Sequence, residues 1–379
     1  MLEKLVGFNT VSSESNLALI NFVAEYLTAL EIPYQLIFNE DKTKANLMAT
    51  VGPNKAGGVI LSGHTDVVPV KGQAWDSDPF TLTERDGKLY GRGTCDMKGF
   101  IAIALAKIPQ MQAAGLQVPI HLALSYDEEI GCAGAPPMVR KMAAELPPVR
   151  AVIVGEPTSM QVVTAHKGIT SLTTTVTGCE AHSSQPDRGV SAVMTAAHLI
   201  EHIAGLMASY SEKPYPLAMQ VPYTTLHVGT VRGGTAVNIM AKECQFDWDI
   251  RNVANDNPVQ IKENFENYCQ HVVLPPMKAI SEQCDIQTQM HACVPGLAPE
   301  ESGAAEALCR ELIGTSEVTM VAYATEGGLF QEAGFSSVIC GPGSIDQAHQ
   351  PNEYIEVAQF EMGCSFVDDL IVLLSREER

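Results

Sequence analysis

The sequence has no C-x-x-C pair, no basic start running into an apolar stretch, no apolar run near the length of a membrane span and no excess of positive charge. Each absence excludes something. Ten cysteines (Cys95, Cys132, Cys179, Cys244, Cys269, Cys284, Cys293, Cys309, Cys340 and Cys364) follow no repeating spacing. In a chain of 379 residues that pattern predicts reduced thiols rather than a disulfide framework. The opening "MLEKLVGFNTVSSES" lacks the two halves of a secretory leader. A bilayer span needs roughly 20 apolar residues, and none is read here. The expectation is a soluble cytoplasmic protein with no membrane partner. A formal charge of −20 and a pI near 4.8 would be repelled by nucleic acid and anionic lipid alike. The acids are dispersed, which predicts solvated surface for most of them. Internal repeats and low-complexity segments are also missing.

What is present is apolar substance: 46% hydrophobic against 18% charged residues, enough to fill one large core or two. Residues 16–30, "NLALINFVAEYLTAL", space Leu17, Ile20, Val23, Ala24, Leu27 and Leu30 as one helical face, with Ser13 or Ser15 placed to cap it. Short apolar runs at 34–38, 46–50, 59–62, 120–125 and 151–154 read as strands. "MKGFIAIALAKIPQM" lies between the third and fourth and reads as a helix. That alternation predicts an α/β sheet covered on both faces. From residue 168 the texture changes. "ITSLTTTVTG" alternates as a half-exposed strand does. A helix, a hairpin, a second helix opened by Pro258 and the strand "CDIQTQM" follow. The order β-α-β-β-α-β is a ferredoxin-like α+β unit. The predicted division is a discontinuous domain of residues 1–167 and 292–379, with 168–291 inserted. The helix "GAAEALCRELIG", the strand "SSVICG" and a closing helix complete the first domain.

Acids and imidazoles recur directly after the strands. His64 and Asp66 follow "VILSG", and Asp127, Glu128 and Glu129 follow "HLALSY". Glu156 follows "AVIVG", His349 comes after "SSVICG", and Asp96 in "GRGTCDMKG" precedes a helix. Ligands of open α/β sheets bind at the carboxyl ends of the strands. Carboxylates gathered there would repel one another and raise their own pKa values, which a dication relieves. Two imidazoles with several carboxylates suit zinc, cobalt or manganese; calcium prefers oxygen alone. A single histidine at a strand end is ordinarily structural. The repetition at equivalent strand ends favours metal.

The motifs "SGHTDVVP", "WDSDPF", "LYGRGTCDMKG", "SYDEEIG", "GEPT" and "AHQPNEY" together resemble the co-catalytic dizinc amidohydrolases. That superfamily includes acetylornithine deacetylases, desuccinylases, aminoacylases and carboxypeptidases, and the match runs in order along nearly the whole chain. The resemblance implies a metallopeptidase-like α/β domain, a mixed sheet flanked by helices, with the inserted unit serving as lid and homodimer contact. It implies two zinc ions per chain, with cobalt as an alternative, held by His64, Asp96 and Glu156 and by Asp96, Glu129 and His349. Asp66 would fix the tautomer of His64. Glu128 would be the general base, and a cis peptide would follow Asp96. Asp127 matches no ligand and is expected to be solvated or hydrogen-bonded; His166 and His227 are expected to be structural. His182 in "GCEAHSSQPDRG" resembles a lid histidine that reaches across a dimer. Asn238 and Arg251 resemble residues that grip a substrate carboxylate, with a structural salt bridge as the alternative for Arg251.

Thr325 and Glu326 in "YATEGGLF" stand where desuccinylases show Thr-Ser-Asp-Gly-Arg. The chain departs from that pattern, and "GPGSIDQAHQPNEY" and "TEGGLF" resemble the acetylornithine deacetylase branch instead, which implies Thr325 and Glu326 as substrate contacts and a glutamate that draws a cationic amine. The expected substrate is thus a small N-acyl amino acid. A desuccinylase or dipeptidase, or an inactive binding protein on the same fold, is the rival reading.

Overall fold

The computed structural model describes residues 1–215 and 217–376. The chain folds into two compact units. One comprises Met1–His166, Leu297–Val321 and Thr325–Arg379; the other comprises Lys167–Gly296 and Ala322–Ala324. The last strand of the second unit runs over Asp285–Val294, past the boundary predicted at residue 291. Its outer residues stay paired with Thr170 and Ile169, so the ladder rather than the composition ends the unit.

The first unit is built on one eight-stranded mixed sheet. In spatial order its strands are Tyr34–Phe38, Ala45–Val51, Ile120–Ser125, Gly58–His64, Val149–Val154, Ser337–Ile339, Val163–His166 and Thr319–Val321. The third to the sixth are mutually parallel. Their apolar runs are continuous because both faces are covered. The pairings His64 with Ser125, Ser62 with Val154 and Ile339 with Val154 bring the carboxyl ends level. The helix Lys98–Ala106 is buried on every side, which its lack of a polar face anticipates. The predicted helix through residue 111 breaks before Pro109, and Ile108–Ala113 forms a separate piece with the proline in its first turn.

Ser15 accepts from the N–H of Leu17 at 3.2 Å, but Asn16 occupies the cap position of the first long helix. The Asn16 amide instead bonds both main-chain groups of Ala45 and the Thr65 hydroxyl, tying the helix to the sheet. Two strands of this sheet, Val163–His166 and Thr319–Val321, are too short to show a period in sequence. The same holds for a small sheet of Thr83–Arg85, Lys88–Tyr90 and Tyr354–Glu356.

The second unit is a four-stranded antiparallel sheet in the order Thr225–Gly233, Glu243–Arg251, Ile169–Thr177, Asp285–Val294. With the helices Ala192–Ser211 and Pro258–Tyr268 this is the β-α-β-β-α-β arrangement. Leu172, Val176, Phe246, Trp248, Leu199, Ile203 and Phe265 share its core. Ala192–Ser211 corrects one expectation: its 20 residues are long and apolar enough to cross a bilayer by composition. Its residues Ala192, Ala196, Leu199 and Ile203 nevertheless form a buried face at helical spacing within the unit.

Candidate metal centre

The level strand ends of the first unit gather His64, Asp66, Glu128, Glu129, Glu156 and His349 around Asp96. His64 Nδ1 lies 2.9 Å from the main-chain oxygen of Asp66. A carbonyl only accepts, so Nδ1 carries the proton and Nε2 is left facing Asp96 Oδ1 at 3.0 Å and Glu156 Oε1 at 3.5 Å. This corrects the role expected for the Asp66 side chain, whose Oδ1 is 3.6 Å from Nδ1. The tautomer is set by the Asp66 carbonyl. The Asp66 carboxylate instead accepts from the N–H groups of Glu128 and Glu129 and from the Ser12 hydroxyl at 2.7 Å. It orders the segment that carries both glutamates. Ser12, in "TVSSES", carries no sequence signal for that contact.

Asp96 presents its other oxygen to a second histidine. His349 Nε2 is 3.2 Å from Asp96 Oδ2 and 2.9 Å from Glu129 Oε2. The peptide bond Asp96–Met97 is cis. Ligand atoms of His64, Asp96 and Glu129 lie within 4.8 Å of one another, as do those of His64, Glu128 and Glu156. The pairwise distances favour the expected division into His64–Asp96–Glu156 and Asp96–Glu129–His349, since each imidazole is closest to its own two carboxylates. Glu128 stands beside the first set, with Oε1 3.4 Å from Cys132 Sγ.

Charge in this cluster does not balance. Burial raises the pKa of Glu128 well above the carboxylate range, and Glu129, Asp96 and Glu326 add to it. Burial and then Asp96 raise Glu156 and Glu129 in the same way. Burial works against charge on His64, but Glu156, Asp66 and Asp96 outweigh it and hold the pKa well above the usual value. His349, hydrogen-bonded to Asp96 and Glu129, is raised to about 10. Burial opposes ionisation of Asp96, yet the two histidines keep it below the ordinary range. Glu129 Oε1 is buried without a hydrogen-bond partner. An imidazole nitrogen aimed at two carboxylates needs a second proton or a cation, and an orphaned carboxylate oxygen needs a donor. Divalent cations satisfy both, so the residues fit a two-metal centre.

The remaining candidates divide. Asp127 pairs with Lys44 at 2.5 Å and takes no part in the cluster. Thr325 is buried, with its hydroxyl 3.1 Å from His166 Nε2 while accepting from the N–H of Gly327. Those contacts order the turn before a short helix. Glu326 is 1% exposed and accepts from Ser62 at 3.2 Å. Burial raises its pKa, against the hydrogen bonds of Ser125 and Ser62 and the nearby His64, which lower it. His182, Asn238 and Arg251 belong to the second unit. There the Ser183 N–H donates to the Asn238 carbonyl at 3.0 Å, so the His182 and Asn238 segments run side by side. Arg251 Nε bonds Asp249 at 2.8 Å, the salt bridge weighed as its alternative. Arg92 and Glu353 lie inside the motifs "LYGRGTCDMKG" and "AHQPNEY" but carry no role expected from them, although Glu353 accepts from the N–H of Asp96 at 3.0 Å.

A sequence profile described as Peptidase family M20/M25/M40 matches residues 60–372. The chain belongs to peptidase family M20/M25/M40. It is a metal-dependent amide hydrolase. Among its relatives, an acetylornithine deacetylase of Proteus mirabilis is 36% identical, covering 95% of this chain and 90% of its own length. One from Pasteurella multocida is 32% identical and covers 99% and 96%. Solved structures share the fold. A metallo-carboxypeptidase of Sulfolobus solfataricus superposes with a TM-score of 0.74 at 18% identity, covering 99% and 98%. A tripeptidase of Staphylococcus aureus gives 0.73 at 21%, covering 99% and 97%.

Proposed function

We propose that the protein hydrolyses N2-acetyl-L-ornithine to L-ornithine and acetate, using two zinc ions, with cobalt able to replace them. The observation that carries the chemistry is the Asp96 carboxylate, whose two oxygens face two different histidines. The substrate rests on the curated relatives, which are acetylornithine deacetylases along nearly their whole length. His64, Asp96 and Glu156 would hold one ion and Asp96, Glu129 and His349 the other. Bound there, the ions would acidify water and polarise the amide carbonyl. Glu128 takes the proton of the attacking water and passes it to the leaving nitrogen. A raised pKa suits a group that must accept and then give up a proton near neutrality. Ser12 and the Asp66 carboxylate hold the backbone of Glu128 in place.

His182, Asn238 and Arg251 are assigned to the substrate's carbonyl oxygen and carboxylate, on the resemblance of their motifs. We assign the second unit to homodimer contact, with His182 serving the partner's site. Exposed Val193, Met194, Val272 and Ile280 on that unit's helices support an apolar contact with a second copy. Ten free thiols support a reducing compartment, and we place the reaction in cytoplasmic arginine biosynthesis.

A panel of acylated amino acids, presented to the metal-loaded protein, tests the substrate. Acetylornithine should turn over fastest. Faster turnover of succinyl-diaminopimelate or of a dipeptide would replace this reading with a desuccinylase or dipeptidase.

A further inference from the structure

Glu353 is 1% exposed, and its carboxylate accepts four N–H bonds. Oε1 accepts from the main-chain N–H of Cys95 at 2.8 Å and of Asp96 at 3.0 Å. Oε2 accepts from the main-chain N–H of Gly93 at 3.0 Å and from Arg92 Nη1 at 2.7 Å. The Glu353 carbonyl accepts from the N–H of Gly91 at 3.0 Å. Four main-chain N–H groups of the loop that ends in Asp96, those of Gly91, Gly93, Cys95 and Asp96, therefore end on one residue.

Strand register puts it there. Tyr354, Ile355 and Glu356 pair antiparallel with Tyr90, Leu89 and Lys88, so the next residue outward, Glu353, meets the start of the loop. Gly93 lets the loop turn beneath the carboxylate. Its φ is +84°, and a Cβ there would lie 2.9 Å from Val67 Cγ1.

Arg92 carries the connection further. Its Nη1 also reaches the Gln350 carbonyl at 3.3 Å, and Nη2 bonds Gln73 Oε1 at 2.5 Å. Gln73 Nε2 in turn donates to the carbonyl of His349 at 2.8 Å. One network thus anchors both the backbone of Asp96 and the backbone of His349, the two residues whose side chains meet at 3.2 Å. A buried ion pair needs further hydrogen bonds to satisfy its remaining polar atoms, and here those bonds end on the backbones of these two residues.

We propose that Glu353, acting with Arg92 and Gln73, is the positioning residue that holds Asp96 and His349 at the spacing the two cations require. The inference rests on the metal-centre reading above. Outer partners of metal ligands typically change metal affinity or activity about 10–100-fold when altered. Glu353→Gln keeps the shape but places an amide N–H₂ against backbone N–H donors.

The experiment measures zinc affinity by chelator competition, alongside circular dichroism and thermal unfolding of the metal-free protein. Glu353→Gln is expected to stay folded, to bind zinc about 10–100-fold more weakly, and to recover turnover as zinc is raised. Gln73→Ala, at a half-exposed position, is expected to weaken zinc binding in the same direction by about tenfold. A folded Glu353→Gln protein with wild-type zinc affinity overturns the proposal, even if its unfolding temperature falls. Should Glu353→Gln fail to fold, Gln73→Ala decides alone, and wild-type affinity there overturns it. A wild-type protein that binds no zinc would instead refute the metal-centre reading.

Discussion

His349 Nε2 lies 3.2 Å from Asp96 Oδ2, the carboxylate oxygen that does not face His64. A carboxylate between two imidazoles belongs to both halves of the site. Replacing Asp96 with Ala is therefore expected to abolish both metal sites, while His349→Ala should leave the His64 half able to bind. Metal content per chain after gel filtration checks this. Equal loss in the two variants would contradict a shared ligand.

Glu128 stands within ligand distance of His64 and Glu156 but belongs to neither proposed ligand set. The change Glu128→Gln removes basicity at nearly constant shape. Turnover is expected to fall about 10²–10⁴-fold, with metal content unchanged. Loss of metal in this variant would make Glu128 a ligand, and near-normal turnover would remove it from the mechanism.

Gly155 precedes the ligand Glu156, and a Cβ at that position would lie 2.1 Å from the ring of Phe100. Phe100 is buried in the helix that follows Asp96, so neither partner can move freely. Gly155→Ala is expected to cost about 1–3 kcal/mol, the usual range for overpacking, and to weaken metal binding by shifting Glu156. Denaturant unfolding of the metal-free variant with a metal titration separates the two effects. A variant of wild-type stability would show that the strand end yields.

His121, the second residue of the strand Ile120–Ser125, is buried with Nδ1 against the Thr50 hydroxyl at 2.9 Å and Nε2 without a partner. Burial depresses its pKa to about 4. Between that value and the unfolded pKa, ~6.5, the unfolded chain binds the extra proton. Stability is thus complete above pH ~6.5 and declines as the pH falls toward 4, by up to roughly 3 kcal/mol from this group. Unfolding free energy measured across that window should fall less steeply in His121→Gln than in the wild type. Identical slopes would place the proton elsewhere.

The core of the α/β unit is legible because its strands are continuous apolar runs and its long helices carry a 3.6-residue period. His64, Asp96, Glu128, Glu129, Glu156 and His349 are legible because each sits at a strand end or a helix start, where the fold leaves side chains at one edge. Less can be read where a residue's partner is far away in sequence. "HQPNEY" gives no hint that Glu353 would face Gly93, Cys95 and Asp96, since that depends on the register of three-residue strands. Thr325 and Glu326 look like substrate contacts by motif. The structure turns both inward, because Thr325 bonds His166 and Gly327 while Glu326 meets Ser62.

Sequence by itself determined which residue types stand at which strand ends, and hence that a set of acids and imidazoles would need a cation between them. Only the tertiary structure decided that Asp96 turns one oxygen to each histidine, that the Asp66 carbonyl rather than its carboxylate orients His64, and that Glu353 gathers the loop behind them. Local periodicity depends on neighbours three or four residues away. Hydrogen-bond partners across a sheet depend on pairing between segments hundreds of residues apart, which no local pattern encodes.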